Sequence, residues 1–459
     1  MQWLGWAVLC FPFAIYFAIT GLTAVNIPIQ DDYDAIGNFL DKYSALHGFW
    51  QRAWFVLTAQ HTQYKLIFLH TIVALQYQLI GHTNYKFLEL LGNLGIPAVV
   101  LLLWMFLARS RRPLLQRTWL FVAPCYLFFT TRYVETLNWS MSGLQNIAIV
   151  PISLATFYAA SSSSRYATWL TAAFLVLSIA TSGNGFFVAA VLCLLLVFER
   201  RYRDAAITVV LTTAMAALYA VRYQILPAYS PIPLHQALRI IPRFPFAFLG
   251  NCAYTTGEAF VLGLVLVAGF LFLTWRGWHR VCPGTFGAAL FCVVTALGVT
   301  ATRYRGGLDG AMAPRYAMYS LLLIALEYIA AVRLFVPSSL RIRSRTVAAL
   351  AAAAIAAICF YLPANARAYR ELHARQRLLI THLILWQRHP DHLVLVPDEE
   401  KWVWSPEWIQ LRTRFQSDLR RQISAGLYIP PYTASAPLPL RPHSPSTLGI
   451  ENEPPPPAK

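Results

Sequence analysis

WLGWAVLCFPFAIYFAITGLTAVNIPIQDDYD, residues 3–34, joins an apolar run that can cross a bilayer to a cluster of three carboxylates. A spanning helix needs about 20 apolar residues, and residues 3–25 supply them without a charged side chain. Asp31, Asp32 and Asp34 then lie within about one helical turn of the expected membrane surface. The chain has only 20 acidic residues in 459. Three in one place therefore indicate either a functional site or the solvated start of a loop.

The composition is that of a membrane protein. Hydrophobic residues make up 57% of the chain, charged residues 12%, and the mean hydropathy is +0.50. A soluble domain of this size cannot bury so much apolar surface, so we expect an integral membrane protein. The net charge of +17 comes mainly from arginines between apolar runs. Membrane topology explains this pattern, and we expect no nucleic acid among the partners.

Hydropathy predicts an all-α polytopic transmembrane bundle with about eleven spans. The predicted spans are residues 3–25, 88–108, 118–134, 143–160, 166–181, 184–198, 205–221, 258–275, 284–300, 316–332 and 346–362. The spans 166–181 and 184–198 are short for a membrane core of about 30 Å. The turn Ser182–Gly185 joins them. Non-helical backbone at membrane depth occurs where it lines a cavity. The turn therefore predicts a pocket that opens outward, with an ordinary tight turn between short helices as the alternative.

The arginines predict which side of the membrane each loop faces. Cytoplasmic loops are rich in Lys and Arg, and arginines cluster in alternate loops if residues 66–80 do not span. These arginines are Arg109, Arg111, Arg112, Arg117, Arg165, Arg200, Arg201, Arg203, Arg276, Arg280, Arg333, Arg341, Arg343 and Arg345. If residues 66–80 spanned the membrane, every later loop would change sides and the arginine-rich loops would lie outside. We therefore expect an interfacial helix at 66–80. The loop 26–87 and the chain after residue 362 are then outside.

The predicted organisation has three regions. Residues 1–362 form the transmembrane domain, whose outer loop 26–87 carries the acidic cluster and interfacial helices. Residues 363–436 form an outer C-terminal segment with an amphipathic helix near 407–425. The Pro-rich residues 437–459 are expected to be disordered.

Five short segments in chain order carry a resemblance to a known superfamily. They are Asp31–Asp32, Gln60–His61–Thr62, Val134–Glu135–Thr136 with Trp139–Ser140, Asn184–Gly185, and Pro314–Arg315–Tyr316 with Tyr319–Ser320. Their order, over roughly residues 3–335, resembles the GT-C superfamily of polytopic glycosyltransferases, and more closely a group of bacterial GT-C-like membrane proteins. Gln60 and Thr62 stand where that group has Glu and Arg, and Lys65 is a cation that can replace the missing guanidinium.

The resemblance implies a glycosyltransferase at the outer face of a bacterial inner membrane. Its donor would be a sugar on a polyprenyl phosphate, and its acceptor an envelope glycan, a glycolipid or a protein. Asp31 or Asp32 would act as the base toward the acceptor hydroxyl, or the two would bind Mg²⁺ or Mn²⁺. Asp34 is expected to cap the helix that follows or to be solvated.

Further residues are candidates for the donor site and the sugar pocket. The expected phosphate-binding cations are Arg303, Arg305, Arg315 and Lys65, and the expected pocket residues are His61, Glu135, Trp139 and Asn184. The alternatives are pairing of the arginines with Asp309 or with lipid headgroups, an interfacial role for the histidine, and a place in the interfacial aromatic belt for the tryptophan.

Two other functions remain open. An envelope glycan polymerase or ligase shares the membrane habit and the outer arginines, but does not require the acid pair beside the first helix. A transporter of lipid-linked sugars would place polar residues midway through several spans, whereas here the polarity lies on one side.

Overall fold

The computed structural model describes residues 2–110, 112–225, 232–336, 344–390 and 406–439. Within these ranges the chain forms helices and no β-strand, apart from isolated bridges at His61–Tyr64 and Thr83–Tyr428. The all-α prediction is therefore confirmed for the described part of the chain.

Eight helices in the described ranges are long and apolar enough to cross a membrane. They are Trp3–Thr23, Tyr85–Ala108, Ser140–Ala160, Tyr202–Ala220, Thr256–Trp275, Pro283–Gly306, Pro314–Phe335 and Val347–Arg388. Three shorter apolar helices are Ile67–Ile80, Ala167–Thr181 and Gly185–Phe198. A multi-pass membrane protein fits these helices, and the predicted number of about eleven spans is not confirmed.

The segment 118–134 differs from the single span that the sequence predicts. It contains the end of a helix Leu114–Leu120 and a second helix Val122–Phe128. Pro124 explains the break, because it has no N–H to donate to the carbonyl of residue 120 and its ring crowds that carbonyl. The helical path is thus interrupted near the start of the predicted span, and its second helix ends at Phe128.

Arginines satisfy helix carbonyls at one end of the bundle, which we call the arginine end. Arg109 donates to the carbonyl of Tyr158 at 3.0 Å, and Arg112 donates to the carbonyl of Val332 at 3.0 Å. Arg201 donates to the carbonyl of Ala160. Cations at helix C-termini are favourable because the last carbonyls lack partners within the helix.

The opposite end, which we call the acidic end, carries its own hydrophobic cluster. This acidic-end cluster takes its members from residues 25–88, 139–144 and 379–438, separately from the core of the bundle. It includes short helices of the loop, Phe49–Thr58 and Ile67–Ile80. Residues from the predicted outer loop and from the C-terminal segment thus share one packed unit.

The C-terminal segment begins without a break in the backbone helix. A helix Ser344–Arg388 runs through the predicted boundary at residue 362. The predicted amphipathic helix near 407–425 is confirmed as Pro406–Ser424. Residues 440–459 of the predicted disordered tail lie outside the described residues.

Two glycines allow a short helix, Phe244–Leu249, to pack directly on the backbone of Thr256–Trp275. A Cβ at Gly250 would overlap the carbonyl of Ala259, and a Cβ at Gly263 would overlap the carbonyl of Phe246. These contacts are with backbone atoms, which cannot move aside like a flexible side chain. The close crossing of the two helices therefore requires glycine, which has no side chain, at both positions.

Gly263→Ala is expected to destabilise the protein by about 1–3 kcal/mol, because the added methyl group forces the two backbones apart. Gly257→Ala, in the same helix, is the matched control since nothing lies within 4 Å of its Cβ position. Thermal unfolding of the purified protein in detergent measures both. Equal melting temperatures for the two variants would contradict a tight crossing.

Candidate functional site

The three carboxylates of the acidic loop lie in three different environments. The side chain of Asp31 is 48% exposed and that of Asp34 is 31% exposed, whereas Asp32 is fully buried. The backbone from Tyr33 to Asn38 forms a π-helical turn, a rare geometry that frequently occurs at functional sites. Asp31 is the most accessible of the three carboxylates.

Asp32 joins the acidic loop to the start of the helix Ser140–Ala160. Its Oδ1 accepts the backbone N–H of Met141 at 2.8 Å, and its Oδ2 accepts that of Ile29 at 3.2 Å. The first N–H groups of a helix have no partner within the helix and carry partial positive charge. Burial raises the pKa of Asp32 to about 7, although these backbone N–H groups act to lower it. Both oxygens of Asp32 are committed to the fold.

Binding of Mg²⁺ or Mn²⁺ by Asp31 and Asp32 stays a prediction. Mg²⁺ demands near-octahedral oxygen ligands at about 2.0–2.1 Å, and each oxygen of Asp32 already accepts a backbone N–H. No group of three His, Cys, Asp or Glu side chains in the described ranges is arranged to hold a metal ion. Asp31 and Asp32 therefore have different environments and different chemical capacities.

His61 lies between the carboxylates of Asp31 and Asp34. Its Nδ1 is 3.3 Å from Asp34 Oδ2, and its Nε2 is 4.0 Å from Asp31 Oδ2. Burial acts to lower the pKa of His61, but the nearby carboxylates of Asp31 and Asp34 and their negative charges outweigh it and raise the pKa to about 9. The imidazole is thus a buried cation at neutral pH.

Asp34 makes no capping hydrogen bond to the following helix, so the capping alternative is wrong, and its side chain is 31% exposed. Its Oδ1 accepts from Asn38 Nδ2 at 2.7 Å and from Arg414 Nη2 at 2.5 Å, while its Oδ2 faces His61. The hydrogen bond from His61, aided by Asn38 and Arg414, holds the pKa of Asp34 well below its usual range. Charged partners from distant segments replace the local backbone N–H that a cap would bind.

A tight turn from His61 to Tyr64 connects the acidic loop to the membrane helices. The backbone N–H of each residue donates to the carbonyl of the other at 2.8 Å. The hydroxyl of Tyr64 accepts a hydrogen bond from Arg303 Nη2 at 3.1 Å, and its ring lies against Gly183. The turn thus places a predicted phosphate-binding arginine close to the acidic loop.

Three further predicted residues, Glu135, Asn184 and Arg315, have contacts near this turn. Arg315 Nη1 lies 3.3 Å from Glu135 Oε1 and near enough to Arg303 for their positive charges to repel. Asn184 Nδ2 donates to the hydroxyl of Tyr319 at 3.0 Å, one helical turn after Arg315. The turn that the sequence predicts to line a pocket therefore contacts the helix that carries this arginine.

Lys65 lies elsewhere, although it follows Tyr64 directly. It is fully buried, and its Nζ donates to the carbonyl of Leu218 at 3.1 Å and to that of Val221. These carbonyls end the helix Tyr202–Ala220, where a cation is favourable. Burial lowers the pKa of Lys65. The structure gives this side chain a capping contact.

Trp139 and Arg305 have environments of their own. Trp139 is only 6% exposed and belongs to the acidic-end cluster. Its backbone is extended and the helical turn containing Glu135 ends at Thr136, so the two side chains do not share a helix face. Arg305 is exposed, and its Nε donates to the hydroxyl of Tyr304 at 3.4 Å.

The sequence analysis gives no role to three residues of this arrangement, Tyr64, Tyr319 and Arg414. Tyr319 belongs to a quoted segment and Tyr64 lies two residues after one, so both phenol groups could be found from the sequence. Arg414 is 380 positions from Asp34, and no local pattern pairs residues so far apart.

Comparison with known proteins adds no further assignment. No protein-family model, curated protein or solved structure matches the chain. The candidate site is therefore defined by the contacts between the acidic loop, the His61–Tyr64 turn and the arginines.

The stability of the protein is expected to fall as the pH rises from 7 to about 9.5. A raised folded-state pKa means that protonated His61 stabilises the fold below its unfolded pKa of about 6.5, and that this stabilisation is lost as the pH passes 9. The loss is at most about 3 kcal/mol. Unfolding free energies of the parent and of His61→Gln across this range measure it. A similar fall in both proteins would assign the effect to other groups.

Asp32→Ala is expected to cost about 3 kcal/mol or more, because it leaves two buried N–H groups without an acceptor. Asp31→Ala, at the exposed neighbour, is expected to cost about 1 kcal/mol or less. Denaturant unfolding at pH 8, where Asp32 is mostly ionised, compares the two variants. Similar losses would show that the carboxylate of Asp32 does not hold the loop in place.

Proposed function

We propose that this chain is a membrane glycosyltransferase. It would transfer a sugar from a polyprenyl-phosphate donor to an envelope glycan, glycolipid or protein acceptor at the outer face of a bacterial inner membrane. The observation that carries this proposal is the accessible carboxylate of Asp31 beside the His61–Tyr64 turn, whose tyrosine contacts Arg303.

Asp31 is the proposed base. The oxygen of the acceptor hydroxyl attacks the anomeric carbon of the donor sugar, and its proton passes to the Asp31 carboxylate. The bond between the anomeric carbon and the phosphate oxygen breaks, and its electron pair leaves with the polyprenyl phosphate. Asp32 supports the step by fixing the backbone beside Asp31, since both of its oxygens bind backbone N–H groups.

Arg303 and Arg315 are the proposed partners of the phosphate. A guanidinium forms strong, charge-assisted hydrogen bonds to phosphate oxygens, and stabilising the departing anion lowers the barrier. Arg303 now donates to the neutral hydroxyl of Tyr64, and Arg315 pairs with Glu135. A doubly charged phosphate is a stronger acceptor than a phenol, so Arg303 can exchange one partner for the other.

The proposed orientation follows from the arginines at the opposite end. The helix Ser140–Ala160 contacts Asp32 near its first residue and Arg201 at its last, so the acidic and arginine ends face opposite ways. The positive-inside rule favours the arginine end in the cytoplasm. The acidic end then faces outward, and a lipid-linked donor reaches it from within the bilayer.

The test is an envelope-glycan profile by mass spectrometry in a deletion strain. The strain is restored with the parent, with Asp31→Asn, or with Asp309→Asn at matched protein levels. A sugar lost on deletion should return with the parent and with Asp309→Asn, an exposed aspartate of another loop, and should fall roughly 100-fold or more with Asp31→Asn.

Each other result contradicts part of the proposal. Full restoration by Asp31→Asn would remove this carboxylate from the chemistry and favour a polymerase or ligase. An unchanged profile on deletion, with flux of a lipid-linked sugar lost, would replace the transferase by a transporter.

A further inference from the structure

The C-terminal helix Pro406–Ser424 lies directly on the acidic loop. Phe415 stacks on Tyr33 with ring centroids 4.6 Å apart and planes 11° from parallel. The side chain of Gln422 occupies the position that a Cβ of Gly37 would fill. A glycine at that point of the loop is therefore what lets the helix approach so closely.

The chain after this helix is also fixed to the outer loop. The carbonyl of Leu427 accepts the backbone N–H of Thr83 at 2.8 Å, and the hydroxyl of Tyr428 donates to the carbonyl of Asn26 at 2.7 Å. Leu427 and Tyr428 are both buried. The C-terminal segment is thus held by aromatic and apolar burial on both sides of the helix end.

Arg414 has a different part in this contact. It is half-exposed, and exposed ion pairs contribute little to stability, so its pairing with Asp34 is not what seats the helix. Its guanidinium takes Oδ1 of Asp34, while His61 faces Oδ2. The carboxylate of Asp34 is thereby fixed in one orientation, and Asp31 remains the exposed carboxylate beside His61.

We propose that Arg414 is a positioning residue of the transfer reaction, holding Asp34 against His61 so that Asp31 alone faces the acceptor. This inference rests on the proposed function. It makes the C-terminal helix a wall of the site, supplied by the same chain. Without Arg414, only Asn38 holds Oδ1 of Asp34, so the carboxylate gains freedom to turn and its position against His61 is less fixed.

The position of the helix Pro406–Ser424 on the acidic loop is tested by forming a disulfide between Gly37→Cys and Gln422→Cys in intact membranes. Replacing Gln422 removes the side chain that a Cβ at residue 37 would meet, so the two thiols can approach. The linked peptides should be found by mass spectrometry with the parental residue at 414 and also with Arg414→Gln. Absence of the link with the parental residue would overturn the proposed wall.

The positioning role is tested in the glycan assay with three variants. Arg414→Gln should lower transfer on the order of 10-fold to 100-fold, because a small misplacement of a reacting group is costly. Arg414→Lys should restore most of it, since the charge is kept. Arg420→Gln is the matched control on the same helix, where the guanidinium donates to the carbonyl of Pro390 at 2.8 Å.

A readout independent of transfer separates this inference from the proposed function. Carbodiimide labelling of Asp34, measured by peptide mass spectrometry, should rise several-fold in Arg414→Gln and stay unchanged in Arg420→Gln. Unchanged labelling of Asp34 overturns the positioning role, whatever the glycan profile shows. Parental transfer in Arg414→Gln, or equal loss in both glutamine variants, also overturns it. Loss of the disulfide together with transfer would assign Arg414 to seating the helix instead.

Discussion

The arrangement of the acidic end depends on one buried carboxylate. Asp32 accepts the backbone N–H groups of Ile29 and Met141, and so fixes the loop to the first turn of the helix Ser140–Ala160. Leaving buried N–H groups without an acceptor costs about 1–3 kcal/mol each, which sets the register of the loop. Because Asp32 points inward, Asp31 is left exposed and Asp34 faces His61. A shift of the chain by one residue would exchange these environments.

Hydropathy was a good guide to the helices and a poor guide to the contacts between them. The amphipathic period near 407–425 predicts a helix because it requires only local spacing, and Pro406–Ser424 forms. The break at Phe121 depends on Pro124 within an otherwise apolar run, so a window average misses it. Hydrophobic length therefore predicts where helices lie and overestimates their continuity.

The site shows the same limit at the level of side chains. The sequence singles out Asp31 and Asp32 together, but adjacent carboxylates can be separated only by their tertiary partners. Arg414 meets Asp34 across 380 positions, and such a pair carries no local periodicity. By charge alone Lys65 is a candidate phosphate ligand. In the structure its ammonium group donates to the carbonyls of Leu218 and Val221, at the C-terminal end of the helix Tyr202–Ala220. The charge of a side chain indicates which groups it can bind, and the fold determines which of them it contacts.

Gln60 makes a pair of hydrogen bonds that an ionised carboxylate could not make. Gln60 Nε2 donates to the carbonyl of Gln224 at 2.7 Å, and Gln60 Oε1 accepts the backbone N–H of Gln224 at 2.8 Å. Only an amide can both donate and accept in this way, since an ionised glutamate has no donor and would repel the carbonyl.

This reciprocal pair holds the chain that follows Tyr202–Ala220 against the His61–Tyr64 turn, on the same side as the contacts of Lys65 with Leu218 and Val221. The amide of Gln60 therefore fixes the position of the turn. On the other side of the turn, His61 lies between the carboxylates of Asp31 and Asp34. The turn thus connects the end of the helix Tyr202–Ala220 to the acidic loop.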